Sequence, residues 1–212
     1  LTVSSAASDV YKRQVQNFMG VDVMMHLSCT DQSRDEILKV LTDARMAGLS
    51  NILAVRGDPV HGESTWSARD DGFRYASDLV SFIHEAYPDH FGISGGGYPE
   101  GHFETPDLDL SVEHLKVKVD AGTDFIVTQL FYDPQVYLEF VGRCRDAGIQ
   151  CPIVPGIMPI QNYARFQRFM SQVDVRVPDD VVQTLESIKN DDEAVIAYGI
   201  KQCTEMCQTF ID

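Results

Sequence analysis

Length, composition and charge place the chain in a broad class and exclude several others. It has 212 residues, with 17 Lys and Arg against 32 Asp and Glu, a net charge of −15 and a pI near 4.6. A nucleic-acid-binding surface needs a basic patch, and a membrane-spanning helix needs about 18–20 apolar residues in a row. The sequence shows neither pattern. We therefore expect an acidic globular protein that binds neither nucleic acid nor a membrane.

Two local features bear on processing and compartment. Residues 1–14 have no helical or strand period and no apolar segment typical of a secretory signal. We interpret 1–14 as a non-native or disordered leader and assign the fold to 15–212; a native flexible N-terminus is the alternative. The odd, scattered set of five cysteines predicts no disulfide framework and a reducing, cytoplasmic location. Cys203 and Cys207 are interpreted as buried thiols, because no further Cys or His accompanies them as metal ligands.

Short apolar runs alternate with amphipathic stretches along the rest of the chain. A capping box at Ser33 and Glu36 opens the first helix, Pro88 stops the second, and Asp133 with Pro134 opens the fourth. The predicted strands are 21–27, 51–55, 91–94, 125–130 and 151–157, and after the last come only helices, near 162–172, 179–189 and 192–211.

The spacing of the strands predicts the architecture. Their starts lie 30, 40, 34 and 26 residues apart, and a (β/α)₈ barrel allots about 31 residues to each unit. A doubly wound sheet shows the same alternation, but no G-x-G-x-x-G follows the first strand, and polar residues cluster after the strand ends. We predict an α/β fold, a partial TIM (β/α)₈ barrel with about five of its eight strands, which cannot close.

Polar residues at or just after strand ends are the candidate site residues. Arg56, Gly57 and Asp58 place opposite charges around a flexible position; a structural ion pair and an adhesion motif are the alternatives. His26 in the first strand is either a core histidine or a catalytic group. A metal site built from His26 and Cys29 would lack its remaining ligands, so we predict no metal.

Three further features admit both a structural and a functional interpretation. The run 95–102 is a loop that either approaches a ligand closely or is simply flexible. Gln129 lies in an apolar run, so its amide is either satisfied in the core or directed at a ligand with a donor–acceptor edge, such as a pterin or a flavin. Lys118 is either a surface lysine or an anchor for a phosphate.

Seven motifs, taken together and in this order, resemble the methylenetetrahydrofolate reductase family, and its eukaryotic branch in particular. The likeness runs from about Val15 to the C-terminus. It implies a TIM barrel that binds FAD at its C-terminal mouth. It also implies reduction of 5,10-methylenetetrahydrofolate to 5-methyltetrahydrofolate by NADPH or NADH, in one-carbon metabolism and methionine biosynthesis. The motifs are HLSC, NILAVRGDP, FRYASDLV, GGGYPEGH, LKVKVDAGTDFIVTQLFYD, CPIVPGIMPIQNY and NDDEAVIAYGI.

The resemblance also implies residue roles. Asp58 would lie between flavin and folate and stabilise positive charge on the substrate, and Gln129 would hydrogen-bond the pterin; both are expected to be catalytic and substrate-binding. His102 and Lys118 are expected near the FAD pyrophosphate. A homodimer of the full-length protein is expected. The full set of expected FAD contacts is His26, Arg56, Gly57, Asp58, Tyr75, Ala76, Tyr98, His102 and Lys118.

The sequence departs from the family pattern in three places. The family's general acid, a glutamate, would lie upstream, and its last strand would lie beyond Asp212. The loop that contains Tyr98 ends with His102-Phe-Glu-Thr105, where the family has His-Pro-Glu-Ala. Ser111 replaces a helix-capping aspartate. We expect an incomplete catalytic domain that is inactive alone and aggregation-prone or weak in binding FAD. There are two alternatives. One is a non-catalytic isoform that pairs with a complete subunit. The other is a barrel enzyme that acts on phosphorylated sugars.

Overall fold

The computed structural model describes residues 15–16, 19–59, 66–173 and 175–211. The leader predicted at 1–14 lies outside them. The strands form a parallel sheet in which each strand neighbours the next along the chain, in the order β1-β2-β3-β4-β5. They are β1 (Met24–Ser28), β2 (Asn51–Val55), β3 (Gly92–Gly97), β4 (Phe125–Leu130) and β5 (Ile153–Gly156).

Helices follow the strands as the alternating pattern predicts. Within the described ranges, one helix lies between each strand and the next, and three helices follow β5 in succession. They are α1 (Arg34–Met46), α2 (Ala76–Ala86), α3 (Leu108–Asp120), α4 (Pro134–Asp146), α5 (Tyr163–Met170), α6 (Asp179–Ile188) and α7 (Asp192–Thr209). The partial (β/α)₈ architecture expected from the sequence is consistent with this order.

Two strands have their predicted bounds and three do not. β2 and β4 are confirmed to the residue, whereas β1 begins at Met24 and β5 is shorter at both ends. The glycines at 95–97, expected in a loop, belong to β3, where Gly95 pairs with Ala54 of β2. A glycine still offers a backbone N–H and C=O to the ladder, so the neighbouring strand overrides its weak strand propensity.

The start of α3 corrects a second expectation. The helix begins at Leu108, and Ser111, predicted to cap it, is buried inside it. The Asp107 carboxylate instead accepts a hydrogen bond from the Leu110 N–H at 2.9 Å. An aspartate is therefore still present at this helix start, four residues before Ser111.

The chain divides into two compact units, of which the first comprises 1–96 and 114–126. Its core contains Ile37 and Leu41 of α1 and Leu79 of α2, all fully buried, as the helical period predicts. Leu38, the next residue along α1, is exposed because it lies one step around the helix from Ile37. The Asp124 carboxylate, just before β4, accepts a hydrogen bond from the Ile93 N–H of β3 at 2.7 Å.

The second unit comprises 97–113 and 127–212. Asp133 caps α4 and Pro134 opens it, as predicted. α7 approaches the segment after β5 so closely that a Cβ on Gly199 would lie 1.9 Å from the Ile160 carbonyl oxygen. The interpretation of Cys203 and Cys207 as buried thiols is wrong, because both are only partly buried on α7. The core of α5, α6 and α7 contains Tyr132, Ile160, Phe166, Val181, Leu185 and Val195.

Candidate functional site

The first unit carries the ends of three strands at one edge of the sheet. Ser28 is in register with Val55, and Ala54 with Gly95, so β1, β2 and β3 run in parallel and end together. This edge is where ligands bind in parallel α/β folds. Within this unit it carries the residues after Ser28, the turn Arg56–Asp58, and Gly96.

The turn Arg56–Asp58 is held by side chains from the end of β1. The Thr30 hydroxyl lies 2.9 Å from the carbonyl oxygen of Arg56 and 3.0 Å from that of Asp58. The Ser28 hydroxyl donates to the Arg56 carbonyl at 3.1 Å, and the Trp66 indole N–H donates to Thr30 Oγ1 at 2.8 Å. Three side chains from outside the turn thus hold its main chain in place.

Gly57 is required at the centre of this turn. Its φ is +91°, and a Cβ would lie 2.1 Å from Ser28 Oγ and 2.6 Å from Thr30 Oγ1. Both the backbone conformation and the lack of space therefore demand glycine. The close approach at this residue is made by side chains of the chain's own segment 28–30.

The charged side chains of the turn differ in their surroundings. The Arg56 guanidinium lies over the Trp66 ring, 4.9 Å from its centre, in cation–π geometry. The Asp58 side chain is exposed. The site therefore presents a carboxylate to solvent on a main chain that is fixed by hydrogen bonds.

Lys118 is a half-buried cation of the first unit. It lies on α3, and its ammonium donates to the Gly96 carbonyl oxygen at the end of β3. Burial lowers the pKa of Lys118 from its ordinary value of 10.5 to about 8. A cation placed beside a strand of glycines can receive an anionic group such as a phosphate.

The remaining candidates of the first unit are at its surface. His26 is exposed on β1, so the alternative of a core histidine is wrong. Tyr75 precedes α2 with 51% of its surface exposed, and Ala76 is the first residue of that helix. The Asp78 carboxylate accepts the N–H groups of Arg74 at 3.1 Å and Tyr75 at 2.9 Å, which fixes the entry into α2.

The second unit holds Tyr98, His102 and Gln129. The rings of Tyr98 and His102 meet edge-on with their centres 4.7 Å apart, and His102 forms an antiparallel bridge with Thr105. The loop is thus ordered by its own contacts. Gln129, at the end of β4, is exposed, so the alternative of an amide satisfied in the core is wrong. Its Oε1 accepts the Leu130 N–H at 3.0 Å.

Sequence reasoning missed Thr30 and Trp66. Thr30 follows the HLSC motif directly, and the single tryptophan lies in an irregular segment. Both positions could have been singled out, but only the folded chain shows that they meet. Among the residues with assigned positions, no three His, Cys, Asp or Glu side chains are grouped to hold a metal ion. In the same residues we find no helix long and apolar enough to cross a membrane.

Solved structures define the class of protein first: an α/β fold with a parallel sheet. A Clostridium thermocellum protein, described as binding two copies of 5-methyl-5,6,7,8-tetrahydrofolic acid, gives a TM-score of 0.60 at 15% identity, over 99% of this chain and 70% of that one. Phosphonopyruvate hydrolase gives a TM-score of 0.51 at 13% identity, over 89% of this chain and 68% of that one. At these identities the likeness concerns the fold alone.

Sequence comparison then gives the family. The family model of methylenetetrahydrofolate reductase matches residues 2–212. The chain is 45% identical over 207 residues to methylenetetrahydrofolate reductase (NADH) 1 of Arabidopsis thaliana, covering 93% of this chain and 35% of that protein. It is 46% identical over 197 residues to methylenetetrahydrofolate reductase 1 of Schizosaccharomyces pombe, covering 93% of this chain and 32% of that protein. The chain belongs to the methylenetetrahydrofolate reductase family, and it spans about a third of the length of these relatives.

Proposed function

We propose that this chain contributes flavin- and folate-binding residues to an enzyme that reduces 5,10-methylenetetrahydrofolate to 5-methyltetrahydrofolate, with NADPH or NADH as the reductant. The observation that carries the proposal is the family match over residues 2–212. Relatives named for NADH and for NADPH are both similar to this chain, so the reductant is left to experiment.

The residues of the first unit suit FAD. The pyrophosphate of FAD needs a cation, and Lys118 provides one beside Gly96. The ring systems need exposed aromatic and polar partners, which Tyr75 and His26 provide. When bound, FAD would accept hydride from the nicotinamide and deliver it to the folate. The proposed contacts in this unit are completed by Arg56, Gly57, Asp58 and Ala76.

Asp58 supplies the electrostatic part of the proposal. Hydride addition to the folate proceeds through a cationic iminium group on the substrate, and an adjacent carboxylate stabilises that charge. The Thr30 hydroxyl holds the Asp58 main chain, so little reorganisation is needed when the charge develops.

The second unit would contribute Gln129, Tyr98 and His102. The exposed Gln129 amide offers both donors and an acceptor to a pterin ring without adding charge. Tyr98 and His102 support each other edge-on, which would fix the imidazole for contact with the cofactor. A cytoplasmic location and a homodimer of the whole protein belong to the same proposal.

An FAD titration of the full-length protein that contains this chain tests the proposal, because the chain alone is expected to be inactive and weak in binding FAD. We expect quenching of flavin fluorescence that saturates at one FAD per chain, and bleaching of the bound flavin when NADPH or NADH is added without oxygen. The Lys118→Met variant is expected to bind FAD more weakly, whereas Lys116→Met, on the same helix, is expected to bind normally. A full-length protein that binds no FAD and oxidises neither nucleotide would overturn the proposal and favour a non-catalytic interaction module.

A further inference from the structure

Two thiols lie together on the last turns of α7. Cys203 and Cys207 are four residues apart, so they share one face of the helix. Both are free and partly exposed. Burial, together with the hydrogen bond and charge of Cys207, raises the pKa of the Cys203 thiol. The pair is therefore a neighbouring dithiol that reagents can reach.

The spacing of the two cysteines on an undistorted helix does not favour a direct disulfide. The Cβ atoms of residues four apart on a helix lie about 5–6 Å apart. A disulfide requires Cβ atoms about 3.5–4.5 Å apart. A direct S–S bond would therefore distort α7, whereas a single sulfur-binding atom between the thiols fits the undistorted helix.

The chemistry of the pair favours a ligand that needs only two sulfurs from the protein. A structural zinc site needs four ligands, and no group of three metal-ligating side chains exists in the part of the chain that the structure describes. A monosubstituted trivalent arsenical brings its third substituent with it. It needs two soft sulfur ligands and no others.

We propose that Cys203 and Cys207 form a binding site for monosubstituted trivalent arsenicals. With an arsenical oxide R–As=O, both S–H bonds and the As=O bond break, two S–As bonds form, and the two protons leave with the oxygen as one water. Arsenic remains trivalent, so the step needs neither oxidant nor reductant. The site is independent of the proposed folate chemistry, because neither thiol is among its residues.

The other cysteines do not reproduce this arrangement. Cys29 and Cys144 are buried, and burial raises the pKa of each to about 11. Cys151 is partly exposed, but no other cysteine lies four residues away from it. A single thiol holds an arsenical by one bond and loses it to competing thiols, so Cys151 is the natural control.

Phenylarsine oxide is the probe for the test. The reduced chain is incubated with it and analysed by intact-mass spectrometry, and we expect one phenylarsenic group per chain. The adduct should survive excess 2-mercaptoethanol, a monothiol, and be removed by 2,3-dimercaptopropanol, a dithiol. The melting temperature should rise on binding, because the bridge ties two turns of α7 together.

Single variants separate the pair from the remaining thiols. Cys203→Ser and Cys207→Ser should each lose the adduct that resists 2-mercaptoethanol, whereas Cys151→Ser should retain it. Circular dichroism checks that each variant keeps its helical content. Retention of the resistant adduct by either pair variant, or its loss in Cys151→Ser, would overturn the proposal. So would complete removal by the monothiol.

Discussion

The hydroxyl of Thr30 lies 2.9 Å from the carbonyl oxygen of Arg56 and ties the segment after β1 to the turn after β2. Trp66 donates to the same hydroxyl oxygen, so one small side chain joins three segments. The exposed carboxylate proposed to act on the folate lies at the end of this turn. Its position therefore depends on a residue that carries no charge.

Replacing Thr30 by valine removes this connection while keeping the shape of the side chain. We expect the free energy of unfolding to fall by about 1–3 kcal/mol, because the Trp66 N–H and a carbonyl lose their partner. Urea denaturation measures the change. Thr30→Ser keeps the hydroxyl and is the matched control. Equal stability of the valine and serine variants would show that the hydrogen bonds are unimportant.

Gly57→Ala tests the packing of the turn. The new Cβ would lie 2.1 Å from Ser28 Oγ at a φ of +91°, and we expect a loss of about 2–4 kcal/mol in the free energy of unfolding. Gly142→Ala is the control, since a Cβ there, on α4, has nothing within 4 Å. That variant should gain about 0.5–1 kcal/mol. A tolerated alanine at position 57 would contradict the described turn.

The pH dependence of stability in a Lys118→Met variant tests the role of the half-buried Lys118 ammonium. The pKa of Lys118 is lowered from 10.5 to about 8, so between these values the unfolded chain holds a proton that the folded chain has released. The contribution of Lys118 to the free energy of unfolding therefore rises as the pH increases from about 8 to 10.5. This contribution is lowest below pH 8. We expect Lys118→Met to be more stable than the parent at pH 7 and to lose this pH dependence, as measured by thermal unfolding.

The same substitution should weaken FAD binding. A hydrogen bond from a charged donor contributes about 1.5–3 kcal/mol, so a loss of about tenfold or more in affinity is expected. Lys116→Met is the control for both measurements, because Lys116 pairs with Asp120 at the surface of α3. If Lys118→Met were both destabilised at pH 7 and unchanged in FAD affinity, Lys118 would be a structural residue.

Two tyrosines after β4 give opposite expectations. The Tyr137 hydroxyl donates to the Ile153 carbonyl at 2.7 Å, whereas the buried Tyr132 hydroxyl has no hydrogen-bond partner among the residues described. Tyr137→Phe should lower the free energy of unfolding by about 1 kcal/mol. Tyr132→Phe should leave it unchanged or raise it, because an unsatisfied buried group is removed. Chemical denaturation of both variants side by side decides the comparison.

Asp58→Asn separates the two half-reactions of the proposed enzyme. We expect folate reduction to slow by about 10²–10³-fold, the scale of losing one electrostatic contact to a transition-state charge. Oxidation of NADPH or NADH, followed with menadione as the acceptor, should change much less. Equal slowing of both half-reactions would contradict the assignment of Asp58 to the folate step.

Most of the sheet could be predicted because its signals are local. The apolar runs at Asn51–Val55 and Phe125–Leu130 became β2 and β4 without a shift, and the caps at Ser33 and Asp133 opened their helices. Each signal acts within a few residues, because a side chain caps the N–H groups beside it and a short apolar run favours a buried strand. The motifs likewise indicated the family, which the comparisons confirmed.

The remaining features depended on partners distant in sequence. Gly95 belongs to a strand because Ala54 pairs with it, and Gly57 is required because Ser28 lies against it. By itself the sequence determined the alternation of strands and helices, the family and the candidate side chains. Only the tertiary structure decided that Lys118 is half-buried beside Gly96, since burial and close contact arise when distant segments pack together.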